Sequence, residues 1–413
     1  MRGNLLYGQS GGPTAVINAS AAGVFLEGLA QSESIDHVYG AHHGVVGILE
    51  DDLFDLTEED RAELLLLKQT PSSILGSCRY KLADPEDDET DYARILEIFR
   101  KHNIRYFFYN GGNDSMDTCR KVSHYLAAKH YECKVIGLPK TIDNDLVGTD
   151  HSPGYGSAAR YIATTFMEIY QDAIVYDRGQ ITVVEIMGRN AGWLTAAASL
   201  AQLKGCGPDL LFLPEKPFNL EQVIETCRQA YAKKRILTIA LSEGVRTEEG
   251  KYLPELDADL AVDAFGHKQM GGAAQALVGI LQQHIPTKYR YIELSLMQRC
   301  SAHLASRQDV EEAFLLGSSA VRAAISGSSN VLLGLKRPEQ GLYRPEIRQL
   351  ALDEVANHEK TVPLDWIKPD HSGMTQEYYD YALPLINGRP DLVLDEDGLP
   401  RFARLRLEPV RAK

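Results

Sequence analysis

Short apolar runs, closed by glycine or polar turns and separated by longer amphipathic stretches, recur along this chain and dictate its fold class. Leu5-Leu6-Tyr7, Tyr106–Tyr109, Val135–Leu138, Ile181–Ile186, Leu210–Leu213 and Ile236–Leu241 read as strands. Runs without polar alternation belong to strands buried on both faces. Helical patterns fill the spaces between them: from about Thr14 onward, then Asp117–Lys129, Asn190–Leu203 and Leu220–Lys233. The alternation predicts an α/β fold in which mainly parallel sheets carry helices on both sides. Ligands of such sheets bind beyond the carboxyl ends of the strands. Most of the polar motifs described below fall there.

The 413 residues suffice for roughly two or three domains with a large core. Gly148–Gly156, rich in Gly, Asp and Pro, reads as a boundary. With 43 basic against 57 acidic residues the formal net charge is −14. Nucleic acid and membrane surfaces are polyanionic, so neither is expected as a partner, and an anionic substrate would need a local basic pocket. The cysteines at 78, 119, 133, 206, 227 and 300 form no CxxC pair and no His/Cys cluster at zinc-ligand spacing. Reduced thiols and a cytoplasmic location are the simplest expectation. Met1-Arg2-Gly3-Asn4 runs straight into the first strand, so no signal peptide is expected. The longest apolar runs fall far short of a membrane span. The acidic run Asp84–Glu89 and the basic stretch Arg401–Arg406 both read as solvated surface. From about Tyr343 onward no motif is legible.

The chemistry-bearing motifs each have a bland reading. Ser10-Gly11-Gly12 after the first strand is either a tight turn or a phosphate contact, since glycine lets backbone N–H groups approach an anion. Gly111-Gly112-Asn113-Asp114-Ser115 repeats the arrangement, with a capped helix start as its alternative. In Lys140-Thr141-Ile142-Asp143-Asn144-Asp145, two carboxylates two residues apart point to one side of an extended segment. A hydroxyl nucleophile needs a base, and magnesium needs hard oxygen ligands. A polar turn with Asx bonds is the alternative. Arg189 in Met187-Gly188-Arg189 ends a strand just before a helix expected near Asn190, a place suited to pairing with phosphate. Glu243 in Ser242-Glu243-Gly244 also ends a strand, where it would accept from sugar hydroxyls or begin a helix. Arg299, with Arg290 nine residues before it, would clamp a second phosphate; single arginines are usually surface residues.

Together these motifs resemble the phosphofructokinase family. Ser10-Gly11-Gly12, Ser77-Cys78-Arg79-Tyr80, Gly111–Ser115, Thr141–Asp145, Met187–Arg189, Glu243 and Gln298-Arg299 match its segments in order, from roughly Leu5 to Leu335. The resemblance implies the phosphofructokinase fold: two Rossmann-like lobes with the active site in the cleft between them. Residues 1–154 plus about 300–345 would bind the donor, and 155–299 plus about 346–413 the sugar phosphate. It implies fructose 6-phosphate and a phosphoryl donor as substrates and Mg²⁺ as cofactor. Asp143 would deprotonate the C1 hydroxyl, Thr141 contact the transferring phosphoryl group and Arg189 stabilise its charge. Ile142, Met187, Gly188 and Glu243 would contact the sugar. Arg299 would hold its 6-phosphate, with Arg290 reaching in from a neighbouring subunit, so a homodimer or homotetramer is expected. Gly11 and Arg79 would hold the donor, and Asn113, Asp114 and Asp145 would lie at the magnesium.

Two positions bear on the donor. Family members that use ATP keep glycine at the place of Asp114 and a small residue at that of Lys140, whereas those using diphosphate resemble this chain. A carboxylate at 114 takes up room where a nucleotide's α-phosphate would lie and repels its charge. An ammonium at 140 supplies a counter-charge to the compact diphosphate. The resemblance therefore implies a near-equilibrium exchange in which diphosphate and fructose 6-phosphate give phosphate and fructose 1,6-bisphosphate. An ATP-dependent enzyme, or a non-catalytic subunit of the same fold, is the alternative; the latter would be expected to lack Asp143 or Arg189. Three positions depart from the family pattern. Asn113 replaces a common aspartate, Leu296 a common His or Tyr, and Gln180 an intersubunit arginine of the ATP-dependent members, with Arg178 nearby as a substitute.

Overall fold

The computed structural model describes residues 1–217, 219–256, 272–339 and 341–410. Its backbone divides into two units, Met1–Ser157 with Arg299–Glu359 and Asn387–Lys413, and Ala158–Gln298 with Lys360–Ile386.

The first unit is built on one sheet. Its strands are β1 (Gly3–Gln9), β2 (Ile35–Ala41), β3 (Leu53–Asp55), β4 (Ile104–Gly111) and β5 (Lys134–Pro139). In the second unit lie β6 (Gln180–Ile186), β7 (Leu210–Phe212), β8 (Ile236–Ser242) and β9 (Lys288–Glu293), and the first unit resumes with β10 (Val331–Lys336), β11 (Glu346–Ala351) and β12 (Glu408–Pro409). The large sheet has the order β11-β10-β5-β4-β1-β2-β3-β12. The five strands from β10 to β2 run parallel, and β11, β3 and β12 close the edges antiparallel. Successive aromatics of β4 go to opposite faces, as the period of two requires. Phe107 and Tyr109 enter one core with Leu6 and Val135, while Tyr106 and Phe108 enter the other with Leu5, Tyr7 and Ile136. That double burial is why the strand reads as a continuous apolar run.

The smaller sheet, in the order β7-β8-β6-β9, is parallel throughout. Ile181, Val183, Leu237, Ile239 and Leu241 form its core with the helices Leu220–Lys234 and Ala273–Gln282. β9, Lys-Tyr-Arg-Tyr-Ile-Glu, is an edge strand whose side chains are exposed or half-buried, so it carries no apolar run and escaped the sequence reading.

The two backbone units differ from the expected lobe boundaries at the C-terminal end. Residues 346–359 and 387–413 fall in the first unit, and only Lys360–Ile386 joins the second. The reason is backbone pairing: β11 zips onto β10 over six residue pairs, and β12 pairs with β3. Gln69 Nε2 also donates to the carbonyls of Val393 and Arg401. Lys360–Ile386 instead packs its aromatics around Trp193, which meets Trp366 and Tyr381. The acidic run Asp84–Glu89 is largely exposed, as expected. No helix among the described residues is long and apolar enough to cross a membrane.

Candidate active site

Three adjacent parallel strands bring three loops to one end of the large sheet. β1 pairs with β4 up to Gln9 and Asn110, and β4 with β5 up to Gly111 and Pro139. Beyond those pairs the chain turns into Ser10-Gly11-Gly12, Gly112–Ser115 and Lys140–Asp145 respectively. Gly11, Arg79, Asn113, Asp114, Lys140, Thr141, Asp143 and Asp145 all line one cavity of about 760 Å³. Gly11 has φ 75°, a left-handed conformation that glycine adopts without strain. Its N–H donates to the Cys78 carbonyl (3.0 Å) and its own carbonyl accepts from Ser77 Oγ (2.6 Å). Those bonds bring the Ser77–Tyr80 segment, and with it Arg79, to the cavity. The helix Asn113–Ala128 starts in the cavity wall with Gly112 as its N-cap, so it begins four residues before the expected Asp117.

Thr141–Asp145 is a turn and not the expected extended segment. Asn144 has φ 56°, and its buried Oδ1 accepts from the Ser152 N–H (3.0 Å). Asp143 N–H donates to Thr141 Oγ1 (3.1 Å). The bend keeps Asp143 and Asp145 on the cavity side while Ile142 is buried behind them, away from the cavity lining.

Lys140 is buried, and its Nζ donates to the Gly12 carbonyl (2.6 Å). Burial pushes its pKa down to about 8; Asp143 and Asp145 oppose the shift, and Arg79 and Arg299 reinforce it. Burial pushes the Asp143 carboxyl above the usual carboxylate range, with the charge of Glu359 acting in the same direction and Lys140, Thr141 and Arg299 against it. Arg299 lies beside the same turn: a Cβ on Gly12 would stand 3.2 Å from its Nη1.

The remaining expected residues lie in the second unit. Met187, Gly188 and Arg189 follow β6, and Glu243 follows its neighbour β8, at the paired ends Ile186 and Ser242. Gly188 has φ 139°, a Cβ there would meet the Ala191 carbonyl at 2.6 Å, and its N–H donates to Glu243 Oε1 (3.3 Å). Met187 N–H donates to Gln298 Oε1 (3.2 Å). Arg189 is exposed, and the helix expected from Asn190 starts at Trp193, so three residues separate it from the arginine. Arg290, on β9, pairs with Asp172 (2.8 Å).

Two features escaped the sequence reading. Asn357, His358 and Glu359, from the stretch without motifs, line the cavity. The buried His151, just past the catalytic-looking turn, contacts Asp150 Oδ2 through Nδ1 (2.9 Å) and Glu312 Oε2 through Nε2 (2.6 Å). Ionised carboxylates only accept, so both ring nitrogens donate and the ring is cationic. Its pKa is raised to about 9: Glu312 and Asp150 overcome the opposing effect of burial, the largest influence on the ring. Arg337 completes the cluster on Asp150 (3.0 Å), and Tyr343 Oη donates to Glu312 Oε1 (2.9 Å). The adjacent Thr149 and Ser152 tie this segment to β10 and to Asn144. Only a histidine between two acidic neighbours in space signals the cluster, and Glu312 is far away in sequence.

Comparison with known proteins agrees with this architecture. The family model described as phosphofructokinase matches residues 4–324. The pyrophosphate–fructose 6-phosphate 1-phosphotransferase of Halomonas elongata is 42% identical over 99% of this chain and 98% of its own length. The protein of the same name from Xanthomonas campestris is also 42% identical, over 100% and 98%. The crystal structure of the pyrophosphate-dependent phosphofructokinase from Nitrosospira multiformis superposes with a TM-score of 0.90 at 36% identity, covering 100% of this chain and 99% of that one. A glycine-lined, lysine-bearing cavity at the strand ends and full-length similarity of this degree have one reading: the chain belongs to the phosphofructokinase family.

Proposed function

We infer that this protein is a diphosphate-dependent 6-phosphofructokinase. The observation that carries the reading is the position of Asp114 and Lys140 on the wall of one cavity with Asp143. In the transfer, the C1 hydroxyl oxygen of fructose 6-phosphate bonds to a phosphorus of diphosphate. The bridging P–O bond breaks and its electron pair leaves with phosphate, while the hydroxyl proton passes to Asp143. A carboxylate whose proton affinity is raised by burial is a stronger base in that direction and a usable acid in the reverse one. Lys140, Arg79 and Gly11 hold the donor, and Thr141 contacts the transferring group. Arg189 stabilises its charge, Met187, Gly188 and Glu243 hold the sugar, and Arg299 holds the 6-phosphate. These assignments rest on the family pattern, with Gly11, Arg79, Lys140, Thr141 and Asp143 also lining one cavity.

Magnesium fits the same wall. Among the described residues no group of three His, Cys, Asp or Glu side chains forms a metal cage. Mg²⁺ commonly takes one or two carboxylates plus substrate phosphates, and Asp114, Asp145 and the Asn113 amide oxygen, buried without a hydrogen-bond partner, supply hard oxygens. The ion, when bound, neutralises charge on the diphosphate. A homo-oligomer is supported by the edge position of β9 among the described strands, near which Val175, Tyr176 and Tyr291 are exposed. Free cysteines at all six positions suit the cytoplasm.

The test is a donor exchange. With Mg²⁺ and fructose 6-phosphate, diphosphate is expected to support turnover and ATP to support almost none. Asp114→Gly should collapse diphosphate use and admit some ATP. Comparable kcat/KM with ATP in the unaltered enzyme would refute the assignment, and an unchanged preference in the variant would refute the role of Asp114.

A further inference from the structure

The donor cavity has room to spare. At about 760 Å³ it lies within the usual range for pockets that take drug-sized ligands, so volume alone does not keep out a nucleotide. A donor whose phosphates lie at Gly11, Asp114 and Lys140 must lay the rest of itself along the remaining lining. Outside the three strand-end loops, that lining is Cys78–Lys81 on one stretch of chain and Asn357–Glu359 on another.

The second stretch is fixed in place. Asn357 turns the chain with φ 65° directly after the short helix Leu352–Val355 and Ala356. Asn113 Nδ2, from the first turn of the cavity helix, donates to the His358 carbonyl (2.8 Å). Glu359 forms an antiparallel bridge with Leu146, the residue after Asp145. Asn357 Nδ2 approaches Asp117 Oδ1 at 3.4 Å. The wall is thus anchored to two of the loops that carry the cavity's charges. The anchor also gives Asn113 a use that an aspartate lacks, since a carboxylate has no proton to offer a carbonyl.

All three side chains are exposed at the cavity and all are polar. A purine base gains its binding energy from an apolar or aromatic slot, and leaving carboxylate or amide groups desolvated against it is unfavourable. Along this lining a base has Tyr80 and the His358 ring as flat surfaces, with the Glu359 carboxylate next to the latter.

We propose that Asn357–Glu359, tethered through Asn113, is a second donor-selecting element: a fixed polar wall that rejects the nucleoside part of a donor independently of Asp114. This rests on the diphosphate reading of the site. It predicts that removing Asp114 alone opens the phosphate track but leaves the base without a seat.

The experiment compares four proteins with diphosphate and with ATP: the unaltered enzyme, Asp114→Gly, the triple change Asn357→Gly/His358→Gly/Glu359→Gly, and all four substitutions together. Glycine keeps the backbone anchors at His358 and Glu359 and suits the positive φ at 357, and the side chains removed are exposed, so the variants should fold; thermal unfolding checks this. The expected result is an ATP kcat/KM at least about tenfold higher in the fourfold variant than in Asp114→Gly, with the triple variant still using diphosphate. Equal ATP kcat/KM in those two folded proteins would overturn the wall. If the fourfold variant does not fold, His358→Ala and Glu359→Gln, each in the Asp114→Gly background, give the same comparison, and no gain in ATP use in either overturns it. An unaltered enzyme that prefers ATP would instead refute the diphosphate reading itself.

Discussion

Replacing Lys140 by Met should make the protein more stable and nearly useless with diphosphate. Lys140 is 3% exposed, and burial moves its pKa from 10.5 to about 8. Below about pH 8 native and unfolded chains both carry the charge, and the native state bears its full desolvation penalty. Between about pH 8 and 10.5 the unfolded chain keeps a proton that the native state has released. The unfolded state then binds more protons, so this group makes stability rise with pH across that window. The displacement, 10.5 minus about 8, corresponds to roughly 3 kcal/mol at 25 °C. Met keeps the stem's packing and removes the charge, but also loses the bond to the Gly12 carbonyl, about 1 kcal/mol. The variant should gain about 2 kcal/mol near pH 7, the gain should vanish at about pH 10, and a deficit of about 1 kcal/mol, the lost bond, should remain above about pH 10.5. The assay is urea unfolding of both proteins at a series of pH values. Diphosphate kcat/KM at pH 7 should fall by about two orders of magnitude or more with the lost counter-charge. A variant less stable than the parent at pH 7, or a difference independent of pH, would refute the reasoning.

Asp143→Asn should lower kcat by about 10² to 10⁴ in both directions, with far-UV dichroism unchanged; near-full activity in steady-state assays would remove Asp143 as the base. His151→Phe removes the cation shared by Asp150 and Glu312, leaving an apolar ring against both carboxylates, and should cost about 3–5 kcal/mol in urea unfolding at pH 6. Because the folded pKa of His151 is raised from 6.5 to about 9, its contribution is complete below about pH 6.5 and is lost as pH rises through about 9; an equal loss at pH 6 and pH 10 would contradict that account. The His151 and Lys140 slopes oppose each other between pH 8 and 9. Variant-minus-parent differences are therefore the quantity to measure, rather than the parent's profile alone.

The central strands were legible because double burial writes itself as uninterrupted apolar sequence, as in Tyr106–Tyr109. β2, Ile-Asp-His-Val-Tyr-Gly-Ala, and the exposed edge β9 carry polar interruptions and were not. The glycine turns and Thr141–Asp145 were legible as chemistry but not as shape. Alternation suggested an extended segment, and the left-handed Asn144, held by Ser152, bends it instead. Asn357–Glu359 had no local signal at all. Its place follows from bonds to residues 113 and 146, more than 200 positions away in sequence, and no periodicity encodes such a contact.

Two buried groups of the first unit, His151 and Lys140, show how structure separates a supporting charge from one kept for a ligand. His151 has a carboxylate on each ring nitrogen, Glu312 and Asp150, and their combined pull outweighs burial, so its pKa rises. Every proton it carries is answered within the fold, and removing it breaks a set of paired groups. Lys140 has a backbone carbonyl at 2.6 Å, carboxylates that only partly offset burial, and two arginines that add to the penalty, so its pKa falls. Folding alone gives no reason to keep an ammonium there; a methionine would fill the same space at lower free energy. On the proposed reading the counter-charge comes from outside the chain, and the cavity that Lys140 lines is where a small polyanion would supply it. Desolvated, under-compensated charge is thus a sharper mark of the donor site than the glycine turns around it. The Lys140→Met comparison tests that inference directly, because only a charge kept for a ligand gives a variant that folds better and works worse.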